Sequence, residues 1–390
     1  MSLKEIFCQD GAMRLLQKAF AIDKVPHAYI FAGPEGVGKY KTACEWARLL
    51  LCKNTITERI DGEDFADPSS AAAAQPLPLR RVDSCGLCQS CRLFEAGSHP
   101  DFNHVYKELL EFTTDGKGKT TPVELPIDVI REFLVAKVST RPTLSQRKVF
   151  VVSESEKLND ASQNCLLKVL EEPPGYCCII LLCTRLERLL PTTRSRCQII
   201  RFGPIDQDKI EDKLQQMGIE QKIAKYFARL AGGSLGMAAQ WAKLQLAGAN
   251  LYQTKNNLVG TVADCEFAGA LDIAGRFLDE AKRIAGVWAD LDKSTSKSDI
   301  NHRAQKTLIQ IIISALYDAM KLNITPAEEA INFDQQEQIK KLASRFGPER
   351  SAEKIADCYT LLRWLEDSVN ERLIFEQLLL NLADSDKIKN

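Results

Sequence analysis

Two groups of residues in this 390-residue chain have the types and spacing to do chemistry. The first is Gly33-Pro34-Glu35-Gly36-Val37-Gly38-Lys39, a G-x-x-x-x-G-K pattern. Glycines let such a loop turn its N–H groups inward on a phosphate, the start of the next helix adds partial positive charge, and the lysine reaches a terminal phosphate. A Ser or Thr hydroxyl at the following position would hold Mg²⁺; this chain has Tyr40, whose phenol is too long and bulky to ligate metal there. The loop therefore points to phosphate binding and counts against metal-assisted hydrolysis. A glycine turn that binds nothing is the competing reading.

The second group is Cys85-x-x-Cys88-x-x-Cys91. Three thiolates at this spacing converge on one ion, and Cys52 can supply the fourth corner of a tetrahedral Cys₄ zinc site that clips the intervening loop. Buried reduced thiols and a redox CxxC are the alternatives. His99 and His104 read as part of the approach to a strand and are set aside as ligands. A further carboxylate, Glu154, follows the apolar run Lys148-Val149-Phe150-Val151-Val152, where a P-loop ATPase places Asp-Glu to hold Mg²⁺ and polarise water. The metal-side Asp is replaced by Ser153.

The elements that must position these groups alternate. Apolar runs 28–32, 148–152, 178–182 and 198–202 read as buried parallel strands, with a short strand from Asn103 to Tyr106. Between them lie the P-loop helix, a helix opened by Pro126 and one capped by Asp160 and ended by Pro173-Pro174. This order describes a parallel sheet with helices on both faces. Residues 53–84, polar and Ala/Pro-rich, read as a mobile insertion without its own core. Loop 113–119 carries two lysines between glycines and reads as a solvated surface loop. Past Pro204 the strand signals stop: residues 206–245 read as short helices with a break at Gly232-Gly233, and 250–390 as longer amphipathic ones. The apolar face through Leu362, Leu365, Val369, Leu373 and Ile374 needs a partner helix.

Composition sets outer bounds. Hydrophobic content of 45%, charged content of 26% and a net charge of -1 are ordinary globular values, so any meeting with nucleic acid is local or through partners. Met1-Ser2-Leu3-Lys4-Glu5 lacks a basic region before an apolar core, and no apolar run approaches a membrane span, so a cytoplasmic protein without a membrane partner is expected.

Together, His27-Ala28-Tyr29 before the P-loop, the four cysteines, the tract Asn164 to Pro174 ending in Leu170-Glu171-Glu172-Pro173-Pro174, and Ser195-Arg196-Cys197 resemble the AAA+ clamp-loader subunits of bacterial DNA polymerase III over nearly the whole chain. The resemblance implies an α/β AAA+ P-loop domain at 1–204 with a zinc module at 52–91. A helical lid at 205–246 and a helical collar or oligomerisation domain at 250–390 would follow. It also implies roles: phosphate binding for Gly33, Gly36, Gly38 and Lys39, a vestigial catalytic glutamate at Glu154, a sensor at Thr184, an arginine finger at Arg196 acting on a neighbouring subunit, and zinc ligation by Cys52, Cys85, Cys88 and Cys91. Tyr40, Ser153 and Gly236, the last where an active subunit carries a second sensor arginine, depart from the motor subunits. That pattern fits the stator of the ring, with structural zinc and with ATP or ADP bound at most without efficient hydrolysis. Implied partners are the gamma/tau and delta subunits in a hetero-oligomer, the sliding clamp, and primed DNA through the assembly. An active gamma/tau-like ATPase and a zinc-dependent adaptor without nucleotide are the alternatives.

Overall fold

The computed structural model describes residues 3–59, 80–114, 124–293, 295–322, 329–366 and 369–383, in two compact units, Met1–Pro204 and Ile205–Asn390.

In the first unit, α1 (Asp10–Ala21) leads to β1 (Ala28–Ala32), the phosphate loop and α2 (Lys39–Leu51). Two short strands, β2 (Ile56–Arg59) and β3 (Arg80–Asp83), pair antiparallel. Then come α3 (Gln89–Glu95), β4 (Phe102–Val105), and α4 (Ile127–Ile130), continued through a π-helical turn at Arg131–Val135 into α5 (Ala136–Val138). The rest of the unit comprises β5 (Lys148–Val152), α6 (Asp160–Glu171), β6 (Cys177–Cys183), α7 (Pro191–Arg194) and β7 (Gln198–Arg201). The five-stranded sheet has the order β4-β5-β6-β1-β7 and every pairing in it is parallel.

Alternate residues of each strand feed opposite faces, as the two-residue period of a strand requires. Tyr29, Phe31, Val149, Val151, Ile180 and Leu182 join Trp46 of α2 and Leu16 of α1 in one core; Ile30, Phe150, Val152, Ile179 and Leu181 join Val129 of α4 and Leu166 and Leu170 of α6 in the other. The parallel sheet with helices on both faces is thus present. Trp46 is wholly buried, edge-on to both Tyr29 and Phe20. Each large side chain so buried contributes about 1.5–3 kcal/mol, which is why strands apolar on both faces end up inside.

Two details differ from expectation. The described ends of the 53–84 insertion form the β2–β3 ribbon, and Val82 is buried in the sheet core, its backbone N–H and C=O both bonded to the Gln17 side chain. That side-chain amide does what a neighbouring strand would do. The α6 cap is Asn159, not Asp160: its carbonyl accepts from Ser162 N at 2.9 Å, and Asp160 is the first helical residue, where its charge meets the helix dipole. The middle of the insertion (60–79) and the lysines of the 113–119 loop lie outside the described residues.

The second unit is helical: α8 (Gln207–Gln216), α9 (Gln221–Leu230), α10 (Leu235–Leu244), α11 (Leu251–Ala263), α12 (Ala270–Leu291), α13 (Lys297–Met320), α14 (Gln336–Glu366) and α15 (Glu371–Ala383). Gly232 and Gly233, both at positive φ, make the turn between α9 and α10, as their position in the sequence suggests. Inside this unit Lys255 is fully buried, its ammonium 2.5 Å from Asp334 Oδ1 and over the rings of Tyr226 and Tyr252. Gly347, also at positive φ, breaks α14 before Pro348. The apolar face around 362–374 is not one helix: α14 ends at Glu366, α15 starts at Glu371, Leu365 is buried and Leu373 is exposed.

Candidate phosphate loop and thiolate cluster

β1 is hydrogen-bonded on both sides, to β6 and to β7, so the loop that leaves it starts from a fixed point. Gly33 N donates to Cys183 O at 3.1 Å, and Phe202 N donates to Ala32 O at 2.8 Å. A Cβ on Gly33 would lie 2.3 Å from the Phe202 carbonyl oxygen, so only glycine fits. Gly36 and Gly38 have φ of 74° and 102°, the latter as the residue before the first turn of α2. Lys39 is buried, with Nζ donating to Gly33 O at 2.6 Å and Pro34 O at 2.5 Å. Burial lowers its pKa, opposed by the negative charges of Glu156 and Glu35.

The positions that would anchor a metal are joined to each other instead. Tyr40 packs against the His104 ring at 4.9 Å between centroids, His104 against Tyr106 at 4.8 Å, and His104 Nε2 lies 2.8 Å from Ser153 Oγ. Burial lowers His104 to about 4, so this corner holds a neutral imidazole where a divalent cation would need oxygen ligands. The donor set does not suit Mg²⁺.

The two other predicted groups at the site separate. Glu154 adopts a left-handed backbone, φ 49°, and its carboxylate pairs with Lys157 at 2.6 Å. Thr184, at the end of β6, bonds Glu156 twice, through Oγ1 at 2.5 Å and backbone N at 3.3 Å. Glu156, which sequence reasoning missed, is the carboxylate whose field reaches both Lys39 and Cys183. Its spacing of two beyond Glu154 gave no signal, because the left-handed turn at Glu154 decides which carboxylate faces the loop. Gly236 lies in the first turn of α10 and offers no side chain.

Arg196, after α7, places Nη2 2.7 Å from Glu171 Oε1 at the end of α6 and Nη1 3.0 Å from Thr192 O.

The four cysteines do converge. Cys52 immediately follows α2, Cys91 lies in α3, and Cys88 caps α3 by accepting from Cys91 N. Their sulfurs all lie within 4.8 Å of one another, with Cys52 to Cys85 at 3.6 Å and Cys52 to Cys88 at 4.0 Å. A Zn–S bond of about 2.3 Å in a tetrahedron requires sulfurs about 3.8 Å apart, so the donor set and spacing fit zinc. Backbone N–H groups of Cys85 and Cys88 point at the sulfurs of Cys52 and Cys85, each at 3.3 Å. Burial pushes Cys52 up to about 12 and raises Cys91. At Cys88 burial also acts upward, but N–H groups of Cys91 and Lys53 and the neighbouring thiols outweigh it and lower that thiol to about 6. A divalent cation would resolve this conflict by stabilising all four thiolates.

Behind the cluster lies a buried polar network. Ser90 Oγ and Ser145 Oγ both donate to Leu51 O, the last carbonyl of α2, and His99 Nε2 lies 2.9 Å from Ser90 Oγ. Asp101 accepts from His99's loop neighbours Thr143, Leu144 and Ser145 through their backbone N–H groups at 2.6–2.8 Å. Those bonds outweigh the upward pull of burial and lower its pKa.

This architecture can be set against known proteins. The family described as DNA polymerase III, delta subunit, matches residues 8–67 and 69–206, and its C-terminal counterpart matches residues 297–384. The chain belongs to the DNA polymerase III delta subunit family. DNA polymerase III subunit delta' of Bacillus subtilis is 28% identical over 60% of this chain and 59% of its own length. The protein of that name from Pseudomonas aeruginosa is 34% identical over 44% of this chain and 41% of its own, and that from Escherichia coli 28% identical over 77% and 78%. The match thus spans about half the length of the first two relatives. Both family marks noted in the sequence, the Glu171 tract and Arg196, meet in one ion pair.

Metal analysis of the purified protein is expected to give about one zinc per chain, with Cys88→Ser releasing it and destabilising residues 52–91 locally. Metal-free protein prepared without chelator would refute the assignment.

A pH dependence follows from His104. An unfolded histidine takes its proton from about pH 6.5 downward, whereas the folded one does so near 4. The stability that neutral His104 confers is whole above the unfolded value and drains as pH falls, by about 2 kcal/mol at pH 5 and about 3 kcal/mol at the limit. His99, also lowered by burial, acts in the same sense. Urea unfolding at a series of pH values should show the slope, and His104→Gln should flatten it; an unchanged slope would remove His104 as its source.

Proposed function

We propose that this chain is a delta-prime-type stator of the bacterial DNA polymerase III clamp loader. In that reading it is one fixed subunit of a hetero-oligomeric ring with gamma/tau and delta subunits, in which ATP-driven changes load the sliding clamp on primed DNA. Residues 205–246 act as a lid and 250–390 as the collar that holds the ring together. Zinc has a structural role at Cys52, Cys85, Cys88 and Cys91. No described helix is long and apolar enough to cross a membrane, in keeping with a partner set of proteins and DNA.

The observation that carries the reading is the contrast between the two ends of the first unit. The chain's own metal corner is filled by Tyr40, His104 and Ser153, while Arg196 keeps a surface position in the Ser-Arg-Cys context. A motor subunit needs a hydroxyl at position 40, a carboxylate at 153 and a free path for Mg²⁺. A subunit that only assists a neighbour needs none of these. It needs a guanidinium, because phosphoryl transfer builds charge on the equatorial oxygens and a planar fork delivered across an interface stabilises it. The nucleotide loop, Gly33 to Lys39, retains the form to bind ATP or ADP without turning it over, and Thr184 serves as its sensor.

Two measurements test this. The purified chain should show no Mg²⁺-dependent ATP hydrolysis above background; robust turnover in a contaminant-free preparation would favour the gamma/tau-like alternative.

Reconstituted rings carrying Arg196→Ala should assemble but lose hydrolysis at the adjoining motor site, to which such an arginine contributes about 10³–10⁵ in rate. Arg196→Lys should restore little, since an ammonium cannot reproduce the fork. Unaltered hydrolysis and clamp loading by the Arg196→Ala ring would end the trans-acting assignment.

A further inference from the structure

Arg196 is not simply displayed. Its Nη2 is 2.7 Å from Glu171 Oε1 and its Nη1 donates to Thr192 O at 3.0 Å. Glu171 is the last residue of α6, fixed by the helix and by Pro173-Pro174 beyond it, and Thr192 lies in α7. Two rigid elements therefore hold one side chain that, on the reading above, has to reach a phosphate on another subunit. Carboxylate and phosphate compete for the same guanidinium donors, and both bind it through the same fork geometry.

We propose that Glu171 is a restraining residue for Arg196, a latch that keeps the guanidinium on its own subunit until the neighbouring nucleotide is presented at full approach. This rests on the assignment of Arg196 as a trans-acting arginine. The strength of the pair suits the task. The two side chains are 35% and 49% exposed, and a solvated pair of this kind shifts an equilibrium by at most about fivefold. A bound nucleotide carrying several charges overcomes that when correctly placed, whereas a partly approached one does not. A buried pair would hold the arginine permanently; no pair would let it engage any phosphate that came within reach.

The test uses reconstituted rings containing the full-length chain. Hydrolysis is measured without clamp and DNA, then with both. Glu171→Gln keeps the size and hydrogen-bonding shape and removes the charge. It should raise the unstimulated rate about two- to fivefold, leave the stimulated rate within about twofold, and so compress the ratio between them. Thermal unfolding of the isolated chain should be unchanged, and Arg196→Ala with Glu171→Gln should show the Arg196→Ala rates with no gain. If Arg196→Ala lowers stimulated hydrolysis but Glu171→Gln fails to raise the unstimulated rate, or raises it equally without Arg196, the latch is wrong and the arginine assignment stands. If Arg196→Ala has no effect at all, the assignment itself falls, and the latch with it.

Discussion

The hydrogen bonding of β1 on both edges is the constraint on which the first unit depends. With β6 on one side and β7 on the other, the strand has no freedom to shift, so the turn at Gly33 is pressed against Phe202 and the loop leads directly into α2. The same two neighbours carry the other parts. β6 ends at Cys183, next to Thr184, and α7 with Arg196 bridges β6 to β7. Gly33 and Thr184 thus follow the carboxyl ends of β1 and β6, whereas Arg196 precedes β7 and Glu171 precedes β6, at the opposite, amino edge of the same parallel sheet. In a parallel sheet the carboxyl ends of strands lie on one edge, and that is where loops can converge on a ligand.

α2 ties this edge to the thiolate cluster. Its first residue is Lys39, and Cys52 comes one residue after its last. The final carbonyl of the helix, Leu51 O, receives both Ser90 and Ser145 hydroxyls, which places the Cys module on a base built from His99, Asp101 and the 143–145 turn. A helix terminus leaves carbonyls unpaired, and here side chains from two distant segments satisfy one of them. Zinc at this position would hold the module to itself; the polar network holds it to the sheet.

Much of this was legible in the sequence because it depended on local pattern. Four apolar runs gave four strands, the G-x-x-x-x-G-K loop lay where a strand met a helix, and the three close cysteines with Cys52 converged as their spacing implied. What escaped depended on contacts between segments far apart. His104 was set aside as part of a strand approach, yet the sheet places β4 beside β5, and that adjacency puts His104 between Tyr40 and Ser153. Glu154 matched a motif by position, but a single left-handed residue turned its carboxylate to Lys157 and gave the inward place to Glu156. The β2–β3 ribbon was hidden because what anchors it is a contact between segments far apart, Gln17 bonding Val82 at a separation of 65 residues. Asn159 took the α6 cap from Asp160 by one residue, a shift that charge and capping preference alone do not resolve.

The β1–β7 pairing that fixes the Gly33 to Lys39 loop also fixes the strand into which Arg196 leads. Arg196 lies in the link from α7 to β7, and the path of that link is set by Thr193, wholly buried, and by the pairing of Ile199 with Ile30. Loosening β1 would displace β7 and with it the guanidinium, and a displacement of about 1 Å is enough to cost a positioned group much of its effect. Metal ligands contribute nothing to that frame. Tyr40 and Ser153 could therefore be given over to packing around His104 without disturbing the strands, whereas Gly33, pressed on Phe202, could not be changed. Under the proposed trans-acting role of Arg196, the frame that this side chain needs would by itself preserve the backbone of the glycine loop, whatever stood at the metal corner.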